Sequence, residues 1–199
     1  TQIPKVFLDT SSLVAPDELN GDLLLMESRT SVRRITSHLL EQGRTLPGFI
    51  GDISYAQSNR ERYEGFCQAL TDAGKKVDSS LCLTTPLGID TYREEIDTFL
   101  SSLSRMPDAF VCASDYVACI LMQLLEKRGL RVPEDVAVSG FDNNTEDLLA
   151  EHLTTVQVFN EELGARLALQ ILYRIKYPNT PHEVTYLGTN VLYRDSTGD

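Results

Sequence analysis

The chain has 199 residues, is 42% hydrophobic, and carries 29 acidic against 18 basic side chains, a formal net charge of −11. That length allows one or two packed cores, and with no apolar run of about 18 residues there is no membrane-spanning helix to place. The negative balance repels a phosphate backbone and no basic run offsets it, so this is not a surface built to hold nucleic acid.

Apolar spacing divides the chain into alternating elements. Val6–Leu8 and 23–26 have strand length, and Val32, Ile35, Leu39 and Leu40 mark a helix closed by Gly43. A short strand at 49–50 follows. The next helix spans about 59–73, with Ser58 and Glu61 spaced as a capping box, Tyr63, Phe66, Cys67 and Leu70 on its inner face, and Gly74 at its end. Tyr92, Ile96, Phe99, Leu100 and Leu103 repeat the helical pattern, Ala109–Cys112 is a strand, and Val117, Ile120, Leu121, Leu124 and Leu125 form a helix stopped by Gly129. A strand over 136–141 precedes a helix whose apolar stripe is Leu163, Leu167, Ala168, Ile171, Leu172 and Ile175, and a last strand lies near 184–193. Strands alternating with helices imply βαβ units and a parallel sheet. The alternation fails only at 153–155, which reads as a crossing between two lobes.

The four cysteines, Cys67, Cys82, Cys112 and Cys119, have neither CxxC spacing nor the density of a disulfide framework. They read as buried reduced thiols, which points to the cytoplasm. The start, TQIPKVFLD, has no initiator Met and no signal-peptide pattern, so the chain reads as a fragment.

Four strand-like runs end in polar residues: Asp9, Asp52, the pair Ser114 and Asp115, and Asp142. In open parallel sheets ligands sit outside the carboxyl ends of the strands, so these residues point to a binding protein for a small polar molecule. Arg62, early in its helix beside the end of the 49–52 strand, offers five donors in a rigid fork suited to adjacent hydroxyls or a carboxylate. Asp142 can accept from neighbouring hydroxyls, or shape a turn with Asn143, Asn144 and Thr145. Asp9 is either a ligand contact or a hinge cap, and Ser114 and Asp115 either cap the following helix or reach the ligand. Tyr55, Tyr116 and Phe141 could stack on a sugar face or pack in the core or rim. His38, His152 and His182 lack metal-ligand spacing, and with no nucleophile motif or phosphate-binding glycine loop we expect neither an enzyme nor a cofactor.

The stretch 107–158, PDAFVCASDYVACILMQLLEKRGLRVPEDVAVSGFDNNTEDLLAEHLTTVQV, resembles the effector-binding core of the LacI/GalR family of bacterial transcription regulators in its PDA strand, its A-S-D turn, its RVPEDVAVSGFD run and its LTTV crossing. An RxxGF element at Arg62–Phe66 and the strand ending at Asp9 agree. Ser114 stands where the family usually has Asn. The resemblance implies an α/β fold of two doubly wound parallel-sheet lobes, like a periplasmic binding protein, with the first lobe incomplete. Residues 1–22 and 156–182 would lie in the amino-terminal lobe and 23–155 and 183–199 in the carboxy-terminal lobe.

Arg62 and Asp142 would then be effector ligands between the lobes, with Asp9, Ser114 and Asp115 nearby, and the effector a small molecule of carbohydrate type. The resemblance further implies a homodimer, with Met122 and Leu148 as interface candidates, and operator DNA bound only through a helix-turn-helix head preceding Thr1. Three rival readings stay open: a periplasmic sugar-binding protein of a transporter, a doubly wound enzyme using Asp9, Asp52 and Asp142, and a phosphoprotein-bound regulator, for which Arg166 and Arg174 are the only basic residues within the 161–175 helix.

Overall fold

The computed structural model describes residues 3–88, 90–144 and 151–199. Strand and helix alternate in the order β1 (Val6–Leu8), β2 (Asp22–Met26), α1 (Arg29–Glu41), β3 (Pro47–Ile50), α2 (Gln57–Asp72), β4 (Cys82–Leu83), α3 (Tyr92–Ser102), β5 (Ala109–Cys112), α4 (Asp115–Lys127), β6 (Ala137–Ser139), β7 (Thr155–Gln157), α5 (Asn160–Lys176), β8 (Val184–Leu187) and β9 (Asn190–Leu192). Helices α2 and α4 end where the glycines place their stops: Gly74 at φ 69° and Gly129 at φ 73° take the left-handed turn that residues with a Cβ resist. Among the described residues no helix is long and apolar enough to cross a membrane.

One parallel sheet runs β4-β3-β5-β6, and β3, β5 and β6 are buried on both faces. The alternation along β5 shows why. Phe110 and Cys112 enter one core with Ile50, Val138 and the apolar faces of α3 and α4. Ala109, Val111 and Ala113 enter the other with Phe49, Ala137 and residues of α1 and α2. This is double winding, and continuous apolar strands are its signature. At about 25 cal/mol per Å², each large side chain so buried contributes about 1.5–3 kcal/mol.

The second parallel sheet is β1-β2-β8, with Leu23 opposite both Phe7 and Val184. This pairing revises the expected lobe boundaries. Residues 23–26 and 184–187, expected with the carboxy-terminal lobe, share a sheet with β1. Val156 and Gln157, expected with the amino-terminal lobe, belong to β7, which pairs antiparallel with β9 and bridges to the end of β6. The run 184–193 is accordingly two strands in two sheets. An apolar stretch such as Leu23–Leu25, buried on both faces, fits either sheet equally well, so only pairing decides its place.

Helix α5 also departs from its pattern. Of the apolar stripe only Leu163 is buried; Gln170 and Arg174 are buried with it, and Leu172 and Ile175 stay exposed. The cause is Asp22, only 1% exposed at the start of β2. Its carboxylate accepts from Gln170 at 2.8 Å, from Arg174 Nε at 3.0 Å, from Arg174 Nη2 and from the Glu183 N–H at 2.9 Å. Burial alone would raise the Asp22 pKa, but these donors outweigh it and hold the carboxyl below its usual range. Cys112 and Cys119 are buried and Cys67 and Cys82 half-buried. Met122 packs half-buried against the core, while Leu148 and Thr145 lie outside the described residues.

Candidate ligand-binding site

Arg62 lies in the second turn of α2 and is only 4% exposed. Its guanidinium stacks on the Phe141 ring, 3.7 Å from the centroid. Nη1 donates to the Ala113 carbonyl at the end of β5 and to Asn59 Oδ1 at 3.5 Å, and Nη2 reaches Asp142 Oδ1 at 3.4 Å and Met26 Sδ at 3.6 Å. One side chain thus ties together the exits of β2, β5 and β6. Burial presses the Arg62 pKa down, and the surrounding carboxylates of Asp142, Asp9, Asp115 and Glu61 pull it back up.

Asp142 follows β6 with φ 109°, a conformation non-glycine residues rarely adopt, held by its N–H donating to the Val156 carbonyl at 3.1 Å. Its side chain is 44% exposed, so the pair joins a buried cation to an open carboxylate. Burial raises the Asp142 pKa and Arg62 opposes that rise. Phe141 is fully buried beneath Arg62, which leaves no free face for a sugar.

The other residues picked from the sequence fall into place around this pair in different ways. Asp9, at φ 59°, accepts the Thr10 N–H at 2.7 Å, the Ser58 hydroxyl at 2.5 Å and the Ser58 N–H at 3.4 Å. It therefore caps α2 from the other sheet, and the Ser58–Glu61 capping box does not form. Glu61 instead accepts the Tyr186 hydroxyl at 2.7 Å, a second bond between the sheets. Ser114 caps α4 by accepting the Val117 N–H at 3.3 Å. Asp52 accepts from the Ser54 N–H and hydroxyl at 2.8 and 2.6 Å.

Asp115 is engaged by contacts within the protein. It is 2% exposed, and its two oxygens accept the Thr155 hydroxyl at 2.6 Å and the Asn144 N–H at 2.7 Å, while its own N–H donates to the Phe141 carbonyl at 2.8 Å. Gly140 lies so close that a Cβ there would stand 2.2 Å from Asp115 Oδ1. Asp115 thereby fastens the turn that carries Asp142. Burial, the largest effect, pushes its pKa to about 6.

Sequence reasoning read Ser58 only as a helix cap and missed Tyr186, Thr155 and Arg194. Arg194 donates to Asn143 Oδ1 at 2.8 Å and to the Leu153 carbonyl at 3.0 Å, bracing the same turn. These contacts carry no local signal, because each joins residues at least 40 positions apart. In sum the carboxylates of Asp142, Asp9, Asp115 and Glu61 stand around one buried guanidinium. That balance suits a neutral ligand rich in hydroxyl donors better than an anion.

Residues 36–197 match the family model described as a periplasmic binding protein-like domain. The HTH-type transcriptional regulator DegA of Bacillus subtilis (strain 168) is 32% identical over 166 residues, 82% of this chain and 47% of DegA. A solved LacI-family putative transcriptional regulator from Sanguibacter keddieii DSM 10542 superposes with a TM-score of 0.83 at 27% identity, covering 98% of this chain and 72% of that one. The transcriptional regulator CelR, solved as a cellobiose complex, superposes with a TM-score of 0.79 at 28% identity over 88% of this chain and 54% of CelR. The chain spans about half the length of the curated relatives it matches. With its doubly wound sheet, its RVPEDVAVSGFD turn and these matches, the chain belongs to the periplasmic binding protein-like family, in the form of the effector-binding core of LacI-type transcriptional regulators.

Proposed function

We propose that this core senses a small neutral polyhydroxyl effector, of carbohydrate type, held at Arg62 and Asp142. The observation that carries the reading is the pairing of a fully desolvated guanidinium with a half-exposed carboxylate at the mouth of two strands. A sugar hydroxyl inserted there can donate to Asp142 and accept from Arg62 at once, and hydrogen bonds to charged groups are worth about 1.5–3 kcal/mol each. CelR, a structural neighbour, was solved with cellobiose bound, which supports a carbohydrate over other polar ligands.

The response would run through the bonds between the two sheets. Asp9–Ser58 and Tyr186–Glu61 both anchor on the first turns of α2, the helix that carries Arg62. A ligand drawing on Arg62 biases those contacts, and a differential of about 1–3 kcal/mol is enough for typical coupling. In a homodimer bearing a DNA-binding head, such a shift would alter operator binding, with no chemical change to the effector.

A panel of sugars, polyols, sugar phosphates and nucleobases read by thermal shift tests this. At a hundredfold excess over Kd the right ligand stabilises the protein by about 2.7 kcal/mol. Stabilisation by a sugar is the expected result; stabilisation by phosphates or nucleobases alone would overturn the carbohydrate assignment.

A further inference from the structure

Two of the most exposed aromatic side chains in the described protein, Tyr55 at 73% and Tyr116 at 59%, lie at the same end of the β4-β3-β5-β6 sheet as Arg62 and Asp142. Tyr55 follows β3, and Tyr116 stands in the first turn of α4, after β5. Tyr92 opens α3, after β4, and meets Tyr116 edge to face with centroids 5.7 Å apart. Burial raises the Tyr92 pKa, and the charges of Asp52, Tyr55, Tyr116 and Glu95 act in the same direction. A groove of about 220 Å³ lies against the Tyr92 and Tyr116 rings, with Asp90, Arg93 and Gln123 as its polar lining.

The strand order gives these tyrosines their meaning. Tyr92, Tyr55 and Tyr116 follow β4, β3 and β5, whereas Asp142 follows β6. With neighbouring strands about 4.8 Å apart, the polar and aromatic groups spread over about 14 Å of sheet end, more than one pyranose ring covers. A single ring at Arg62 and Asp142 leaves the tyrosines unused. Phenol rings expose an apolar face with a hydrogen-bonding hydroxyl at the tip, which matches a sugar ring with its C–H face and its rim of hydroxyls.

We propose that Tyr55, Tyr92 and Tyr116 form an outer subsite that stacks the second ring of an oligosaccharide whose first ring is held at Arg62 and Asp142. The inference rests on the effector site proposed above and deepens it: the ligand has at least two rings, and the tyrosines set its length preference.

Calorimetry on the full chain with a graded series tests it: glucose, galactose, xylose and ribose, their α- and β-linked disaccharides, and the matching trisaccharides. The chain has no Trp, so tyrosine emission gives a second readout of the same titrations. One disaccharide should bind at least tenfold more tightly than its monosaccharide and perturb tyrosine emission. In the Tyr55→Ala, Tyr116→Ala double variant the monosaccharide affinity should stay within twofold, while the gain from the second ring and the emission change disappear. Both side chains are exposed, so folding is preserved. Equal binding of one-ring and two-ring sugars to the wild type, or a full gain retained in the double variant, overturns the outer subsite while leaving the inner site intact. Failure of every sugar, of any length, to bind overturns the inner site and this inference together.

Discussion

Arg62 on α2 and Asp142 after β6 are 80 residues apart in sequence and 3.4 Å apart in space. The two partners carry unequal structural duties. Asp142 is half-exposed, and Asn tolerates its positive φ, so Asp142→Asn removes the charge and keeps the turn. Effector affinity should fall at least tenfold with stability nearly unchanged. Arg62→Ala behaves differently, because it also strips the Phe141 stack and leaves the Ala113 carbonyl without its donor. It should cost about 1–3 kcal/mol of stability as well. Calorimetry paired with urea titration separates the effects, and an unchanged affinity in Asp142→Asn would remove that residue from the site.

Asp9 places a negative charge at the amino end of α2, where the helix dipole and its free N–H groups favour one. Asp9→Ala loses the cap and puts alanine at φ 59°, so it should cost about 1–2 kcal/mol. Asp9→Asn keeps the left-handed turn and should cost less. Ser58→Ala, which breaks only the bond between the sheets, should change ligand affinity more than global stability. Equal urea midpoints for all three variants and the wild type would show that the cap carries no weight.

Asp22 and Arg174 are both nearly fully buried and bound to each other. Removing one partner of such a pair strands the other charge, so Asp22→Ala should destabilise by about 3–5 kcal/mol. Replacing both residues together, with Asp22→Leu and Arg174→Met, should recover much of that loss. A double variant no better than the single one would mean that Gln170 and the Glu183 N–H, not the ion pair, dominate the Asp22 site.

Much of this site could be read in advance, and the reasons are local ones. Arg62 follows the end of a strand by a short spacing, and Asp142 closes the strand-like run VAVSGF, so each betrays its position at a strand mouth. Helices α2 and α4 carry their own stop signals in Gly74 and Gly129. What stayed hidden depends on distant partners. Gln170 and Arg174 are buried only because Asp22 waits 152 residues before Arg174, and Glu61 abandons its capping role for Tyr186, 125 residues on. Helical periodicity cannot register a polar residue whose burial is permitted by a partner in another element. For the same reason Asp115 read as a cap or a ligand contact, since nothing near it in sequence announces Thr155.

The pH dependence of folding should expose that hidden role of Asp115. Its pKa is about 6 in the folded protein, against about 4 in an unfolded chain. Between those values the folded state holds more protons, so the Asp115 contribution to stability falls as pH rises from 4 to 6, by at most about 3 kcal/mol. Asp22 works with the opposite sign: its pKa is lowered by Arg174, Gln170 and the Glu183 N–H, so its stabilisation is present at neutral pH and is lost on acidification below 4. The two effects occupy different ranges and can be separated. Urea titrations at intervals from pH 4 to 7 on the wild type and on Asp115→Asn should differ in slope between 4 and 6, the wild type losing stability relative to the variant as pH rises. Because Asp115 holds the Asn144 N–H and Thr155 on either side of Asp142, effector affinity should weaken over the same range in the wild type as protons are taken up on acidification. Parallel stability curves for the two proteins would show that Asp115 titrates as an ordinary carboxyl and that its buried contacts do not govern its charge.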